Sequence, residues 1–289
     1  MAAFVWMFGS LFSFCVMAVA ARELSGQINT AETLFFRSVI GVVLISTLIF
    51  RKRDLSLFRT KRIKLHLTRD LCHFVGQYGW FLGIGLLPLA QVFALEFTTP
   101  LWTLIIASIF LKEAPTFRKV AAILLGFAGV YLILDPGREI IDSASLIVIV
   151  AAIFFSLTFV CSKALTTTEH PLTVLFYMCL IQAPIGLILG LKTFTAPDLV
   201  QCGWLLLVGI TSLTGHFCIS NAMARAEASI VVTLDFLRLP LITAVGVIGY
   251  QEAFKPMLVA GAGLMLVGNL MNLYPRRAAS NLAPQRQQD

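Results

Sequence analysis

The chain is divided into apolar stretches about as long as a bilayer is thick, and no segment between them is long enough to fold by itself. The stretches run near residues 3–21, 33–50, 71–90, 91–111, 120–134, 144–162, 171–191, 200–222, 228–250 and 256–274. A helix crossing the hydrocarbon core needs about 20 apolar residues, and lipid admits only elements whose backbone polar groups are satisfied internally. Ten such helices use almost all of the 289 residues. The breaks carry charge and helix-stopping residues, as in "RKRDLSLFRTKRIKLHLTRD", "DPGREIID" and "QEAFKP"; the weakest is the uncharged turn around Pro88. A composition of 58% hydrophobic and 13% charged residues, with mean hydropathy +0.88, excludes a soluble globular domain. The first stretch has no basic n-region and no small-residue cleavage site, so it reads as a retained span.

The net charge of +7 matters through its sidedness. If the N-terminus is cytoplasmic, sixteen of the 22 Lys and Arg residues lie in inside loops or the C-terminal tail. Four lie outside (Arg22, Arg138, Lys192 and Lys255), while Arg37 and Arg238 fall within spans. This bias predicts ten spans with both termini in the cytoplasm of a bacterial inner membrane. The basic run from Arg51 to Arg69 is then a topology signal facing the bilayer's headgroups, and no nucleic-acid partner is expected. The six cysteines all fall inside predicted spans and never at CxxC spacing, which argues against disulfides and zinc.

The chain also repeats itself. A shift of 139 residues lays Leu95, Glu96 and Phe97 over Leu234, Asp235 and Phe236, and Glu113 over Glu252, while Pro100 and Pro240 miss by one position. The predicted fold class is therefore all-α integral membrane, with ten transmembrane helices as two five-helix repeats: residues 1–143, residues 144–275 and a cytoplasmic tail, 276–289. Five is odd, so the repeats enter the membrane in opposite directions, an arrangement typical of transporters. At about 1.5 Å per residue, Glu96 and Asp235 lie roughly 8 to 10 Å from their entry surfaces and flank the midplane.

Charges within spans are Arg37, Glu96, Asp235 and Arg238. A charge facing lipid is expensive, so these should face one another or a water-filled cavity. Asp235 and Arg238 stand at i and i+3, on one helical face. They are candidates for substrate binding with Glu96; an ion pair that only locks helices together is the alternative. Further candidates for lining the cavity are His73, Tyr78, Trp80, Trp102, His216 and Asn221. The histidines titrate near neutral pH and the aromatic rings offer faces for stacking. Arg37, Glu113 and Glu252 read as helix-end or gating residues, with Arg37 close enough to a span end to snorkel. Gly79 with Gly83 and Gly186 with Gly190 have the spacing that lets helices approach. There is no HExxH, GxSxG or Walker A loop, so no enzyme, metal or cofactor is expected. An intramembrane enzyme and a non-transporting scaffold are the alternatives of a different class.

The motifs "FFRSVIG", "LLPLAQVFALEFTTPLWTLIIASIFLKEAPTFRK" and "AEASIVVTLDFLRLPLITAVGVIGYQEAFKP" resemble the drug/metabolite transporter superfamily, in particular its EamA-type permeases. The resemblance runs to about Leu273. It implies ten helices, an inverted repeat and a cavity lined chiefly by the third, fourth, eighth and ninth spans. Members move amino acids and derivatives, S-adenosylmethionine, riboflavin, opine-type metallophores or drugs. This chain departs from internal symmetry at Arg37, opposite which the second half has "LFYM". The expectation is a secondary-active permease that exports a small polar or zwitterionic, amino-acid-like or metal-chelating metabolite. Uptake of S-adenosylmethionine, riboflavin or another cofactor-like compound is the alternative. The proton is the candidate coupling ion and a homodimer the candidate assembly.

Overall fold

The computed structural model describes residues 2–110, 117–134, 142–165, 168–223, 225, 231 and 234–273. Glu113 lies outside the described residues. Among them every regular element is helical. In chain order these are α1 (Ala2–Leu24), α2 (Thr30–Lys52), α3 (Ile63–Leu86), α4 (Leu89–Glu96), α5 (Thr99–Phe110) and α6 (Phe117–Leu134). They continue as α7 (Ser143–Leu165), α8 (Pro171–Gly190), α9 (Leu199–Met223), α10 (Arg238–Tyr250) and α11 (Pro256–Leu273). Among the described residues, six segments are long and apolar enough to cross a membrane: Phe4–Leu24, Thr30–Lys52, Leu89–Ile106, Ser143–Ser162, Pro171–Gly190 and Leu199–Ala222. Large apolar side chains such as Phe8, Phe12, Leu124 and Ile188 point outward, as they do where the solvent is lipid.

The helices associate in pairs: α1 with α9, α3 with α7, α2 with α8, and α6 with α11. Small residues permit these approaches. A methyl group added to Gly129 would lie 2.5 Å from the carbonyl oxygen of Gly261, and one added to Gly261 would lie 2.5 Å from that of Gly129. Gly186 similarly sits against the backbone of Ala31 and Phe35 in α2, and Gly79 against Ile147 and Ala151 in α7. Both glycine pairs singled out by spacing therefore lie in helix crossings.

One difference from the sequence reading and two interrupted spans bear on the site. The sequence begins the third span at residue 71 and leaves Arg69 in a loop, but α3 starts at Ile63 and carries Arg69 and Asp70 into the interior. They tolerate burial because they neutralise each other at 2.6 Å and because Arg69 Nε also donates to Ser162 Oγ in α7. The fourth span is interrupted at Phe97 and Thr98, between α4 and α5, where a proline inside the span is expected to kink the helix and free a carbonyl. The cause is Pro100. In a continuous helix its N–H would bond the Glu96 carbonyl, and proline has none. The Thr99 hydroxyl takes that carbonyl at 2.6 Å, and Thr98 takes the carbonyl of Leu95 at 2.7 Å. The ninth span is likewise interrupted before α10, where Pro240 leaves the Phe236 carbonyl to the N–H of Leu239, at 3.1 Å.

Thr99→Val should lower the unfolding temperature of the detergent-purified protein, at a cost of about 1 kcal/mol for the lost hydrogen bond. In a Pro100→Ala background, where a backbone N–H is restored to the Glu96 carbonyl, the same change should cost less. Equal losses in both backgrounds would refute this account of the break.

Candidate functional site

The two interruptions meet. The rings of Phe97 and Phe236 stack with centroids 4.3 Å apart and planes at 14°. The residue before each, Glu96 and Asp235, is therefore carried to the same place from the two halves of the chain. Arg238, in the first turn of α10, lies between them. Its Nη2 is 2.5 Å from Asp235 Oδ2 and 3.5 Å from Glu96 Oε1. The guanidinium carbon lies 5.1, 5.2 and 5.5 Å from the ring centroids of Phe14, Phe97 and Phe93, distances at which a ring face attracts a cation. Three of the four charges singled out within spans thus form one cluster.

Trp80, expected as a stacking surface, reaches the cluster through its ring nitrogen. It is buried against Phe81 and Phe93 and its Nε1 donates to Glu96 Oε2 at 2.8 Å. It orients the carboxylate from behind. Trp102 lies half-buried one turn beyond Thr98, with its Nε1 donating to the Thr98 hydroxyl at 3.1 Å and its ring edge-to-face with Phe127. Tyr78 packs on Phe74. Asn221 is not part of the cluster: it donates to the Phe217 carbonyl and accepts from Arg225, whose guanidinium covers Trp6.

Arg37 does not snorkel. It is 2% exposed and reaches across the bundle. Nε and Nη2 donate to Ser212 Oγ at 2.9 and 2.6 Å, and Nη1 donates to Gln77 Oε1 at 2.9 Å and Gln182 Oε1 at 3.3 Å. Gln182 in turn donates to the Asp70 carbonyl at 3.1 Å and contacts His73 Nδ1 at 3.1 Å. His73 meets the ring of His216 at 5.5 Å, and His216 meets Phe14 at 5.4 Å. Phe14 forms part of the cage around Arg238, so a continuous chain of contacts joins the two polar regions through α2, α3, α8, α9 and α1.

Glu252 stands at one end of the bundle. It accepts from the Leu89 N–H through both carboxylate oxygens, at 2.9 and 3.1 Å, and so caps the start of α4, where the helix dipole favours negative charge. It also pairs with Arg22, which donates to the Leu87 carbonyl at 2.9 Å and lies over the Tyr250 ring. Tyr250 closes the group by donating to Glu23 at 2.7 Å. One carboxylate therefore ties together the end of α1, the α3–α4 turn and the end of α10.

Sequence reasoning passed over Arg69 with Asp70, Arg22 as the partner of Glu252, and Glu32. The last is buried in the first turn of α2 and accepts from Thr193 and Thr195. The signal available for Glu32 was a carboxylate three residues after Asn29, which caps α2 by accepting from Ala31.

The profile of the EamA-like transporter family matches the chain twice, over residues 1–135 and 142–274. The protein belongs to the EamA-like transporter family. It is a multi-pass membrane transporter rather than an enzyme. The relatives it matches include an S-adenosylmethionine uptake transporter of Rickettsia bellii, 23% identical over 95% of this chain and 94% of the relative. A riboflavin transporter of Rhizobium johnstonii is 28% identical over 92% and 89%, and a pseudopaline exporter of Pseudomonas aeruginosa 26% identical over 89% and 90%. One solved crystal structure, 18% identical, superposes with a TM-score of 0.67 over 93% of this chain and 96% of that one, a likeness of fold.

Trp80→Phe keeps an aromatic ring but removes the donor to Glu96. If Trp80 orients the carboxylate, transport by this variant should fall about tenfold, the size of one hydrogen bond to a charged group. A ring that only stacks on substrate would leave Trp80→Phe near wild-type rates.

Proposed function

We propose that the protein is a secondary-active permease for a small polar or zwitterionic metabolite, and that Glu96, Asp235 and Arg238 are its principal polar contacts. The observation that carries this reading is the convergence of a carboxylate from each half on one arginine, at two helix interruptions. Discontinuous helices whose ends meet near midplane are a recurring way to build a transport site. His73, His216 and the rings of Trp102 and Tyr78 are proposed to complete its surroundings, with Asn221 further along the path.

We further propose ten membrane-spanning helices arranged as two inverted five-helix repeats, residues 1–143 and 144–275, followed by a cytoplasmic tail. Helix pairing supports this. A two-fold axis that exchanges the first five spans with the last five turns the α1–α9 pair into the α3–α7 pair and returns α2–α8 and α6–α11 to themselves. It also relates contacts one by one: the shift of 139 residues that aligns Glu96 with Asp235 carries the Gly129–Gly261 approach onto that of Ala122 with Gly268, where an added methyl would lie 2.8 Å from the Ala122 carbonyl oxygen. The two family matches, one to each half, support the same division.

Alternating access then requires each end of the bundle to open in turn. Glu252 with Arg22 is proposed as the closure at the outer end, and Glu113 as its counterpart at the inner end. In this reading the protein lies in a bacterial inner membrane with both termini cytoplasmic. It exports an amino-acid-like or metal-chelating compound, with the proton as coupling ion. Uptake of a cofactor-like metabolite is favoured instead by the S-adenosylmethionine and riboflavin relatives.

Metabolite profiling of cells and medium, comparing a deletion strain with strains restored by wild type or by Asp235→Asn, tests direction and site together. An exported compound should accumulate in the deletion strain, and only wild type should reverse this; full restoration by Asp235→Asn would remove Asp235 from the site. For the closure, Arg22→Ala should increase several-fold the labelling, by an external membrane-impermeant maleimide, of a cysteine placed at Thr243 beside Glu252. Unchanged labelling would count against Arg22 as a latch.

A further inference from the structure

One face of α3 is polar along most of its length. His66, Asp70, His73, Gln77 and Trp80 follow one another at intervals of four, three, four and three residues, the spacing that keeps side chains on one side of a helix. All five are buried. The stripe begins at the end of α3 that the proposed topology places in the cytoplasm and finishes at the hydrogen bond from Trp80 to Glu96. At about 1.5 Å per residue it climbs roughly 21 Å.

Gln77 and His73 have partners in Arg37 and Gln182, but the two members nearest the cytoplasm are incomplete. His66 and Asp70 are each 0% exposed, and among the described residues neither ring nitrogen of His66 nor Asp70 Oδ2 has a hydrogen-bond partner. Arg69 donates only to Asp70 Oδ1, at 2.6 Å, and directs its Nε to Ser162. Polar atoms left bare in an apolar interior are costly. The two residues stand one turn apart on the same face, and one hydrogen serves both: a proton on Oδ2 makes that oxygen a donor, and a ring nitrogen of His66 is an acceptor. The titratable and charged groups around them are Arg69 and His73 of α3, Cys161 of α7 and Cys179 of α8, with Arg37 of α2 beyond Arg69. Tyr177 of α8 lays its ring on His66 at 4.8 Å, and Arg62 and the half-buried Glu169 approach His66 from the cytoplasmic side. The arginines stabilise a carboxylate at Asp70, while dryness and the bare oxygen stabilise the un-ionised acid, so the balance turns on whether water reaches Oδ2.

We propose that Asp70 is a proton-binding site of the transporter, reached from the cytoplasm through Glu169 and His66. The proton sits on Oδ2 and is shared with His66. Opening of the inner end admits water, which hydrates the carboxylate and releases the proton; closure dries the oxygen and retains it. The inference rests on the transporter reading above and gives the coupling proton a place of its own, apart from Glu96, Asp235 and Arg238, which are left to the substrate. The second half repeats neither residue: under the 139-residue shift His66 falls on Leu205 and Asp70 on Gly209. The site therefore serves one side of the membrane.

The test follows the C=O stretch of an un-ionised carboxylic acid, by infrared difference spectroscopy of the detergent-purified protein, as pH is lowered from about 8 to about 5. Wild type should show a band that grows over this range, where exposed carboxylates stay ionised. Asp70→Asn should lack the band, and Glu96→Gln and Asp235→Asn should keep it. His66→Phe preserves a ring against Tyr177 but removes the acceptor, so it should move the frequency of the band. The last three variants leave Asp70 in place, so the outcome does not hang on the folding of Asp70→Asn. A wild type without a titrating band overturns the inference, as does a band that persists in Asp70→Asn. Loss of the band in Glu96→Gln or Asp235→Asn also overturns it, in which case the cluster at the helix interruptions holds the proton. An unmoved frequency in His66→Phe overturns the pairing with His66. Protonation is read here without transport, so its failure leaves the transporter reading standing, and that reading is decided by the profiling experiment.

Discussion

Two prolines, Pro100 and Pro240, determine where the chain's charge can go. Each removes one N–H from a helix that has no water to replace it, and each releases a carbonyl about four residues back. Thr98 and Thr99 satisfy the first interruption and the backbone of Leu239 the second. The local bend that results brings Phe97 onto Phe236 and aims the preceding carboxylates inward. Without the interruptions, Glu96 and Asp235 would be isolated charges on two straight helices, and Arg238 would have one partner in place of two. Placement of the site is thus a consequence of backbone chemistry, with the side chains following.

The surrounding helices accept this arrangement because they pack through small residues. In lipid, apolar side chains gain little by leaving the solvent for one another, so close backbone approach takes over as the source of adhesion. Gly129 against Gly261 and Gly186 against α2 are instances. These contacts join a helix from early in the chain to one from late in it, as do α1 with α9 and α3 with α7. Any relative motion of the two halves would therefore slide or tilt every major helix pair, and would be felt at the Phe97–Phe236 contact that bridges them.

Much of this was legible because charge in oil is conspicuous. Glu96, Asp235 and Arg238 stand out in "ALEF" and "TLDFLRL", and the turn at Pro88 and the two crossings with paired glycines follow from residue type and spacing. What escaped notice lay where the background was not oil. Arg69 and Asp70 end a strongly basic run and so resemble a loop, although mutual neutralisation lets the helix begin eight residues before the expected start. Trp80 was recognisable as an aromatic residue near the site, but whether its ring or its N–H does the work depends on what stands opposite, and that is a tertiary fact. Asn221 shared a helix with His216 but faces a different neighbourhood, Arg225 and Trp6.

Arg37 and Arg238 show two ways of keeping a guanidinium inside a membrane protein. Arg238 has carboxylates and ring faces, and the carboxylates are partly exposed. Arg37 has neither: Ser212, Gln77 and Gln182 solvate it with neutral dipoles, and it is sealed from water. A guanidinium is weakly hydrated and has five donors in a fixed plane, so three well-placed oxygens can stand in for its water shell. Those oxygens come from α3, α8 and α9 while the arginine comes from α2, so the charge clamps four helices without needing a counter-ion. The second half has no matching arginine opposite it. Under the proposed two-fold relation, an arginine opposite Arg37 would add a second cation to the same interior. The carboxylates and phenylalanines that recur in both halves surround the cluster at Arg238, whereas each arginine stands in one half alone: Arg238 falls on Thr99 and Arg37 on Phe176 under the 139-residue shift.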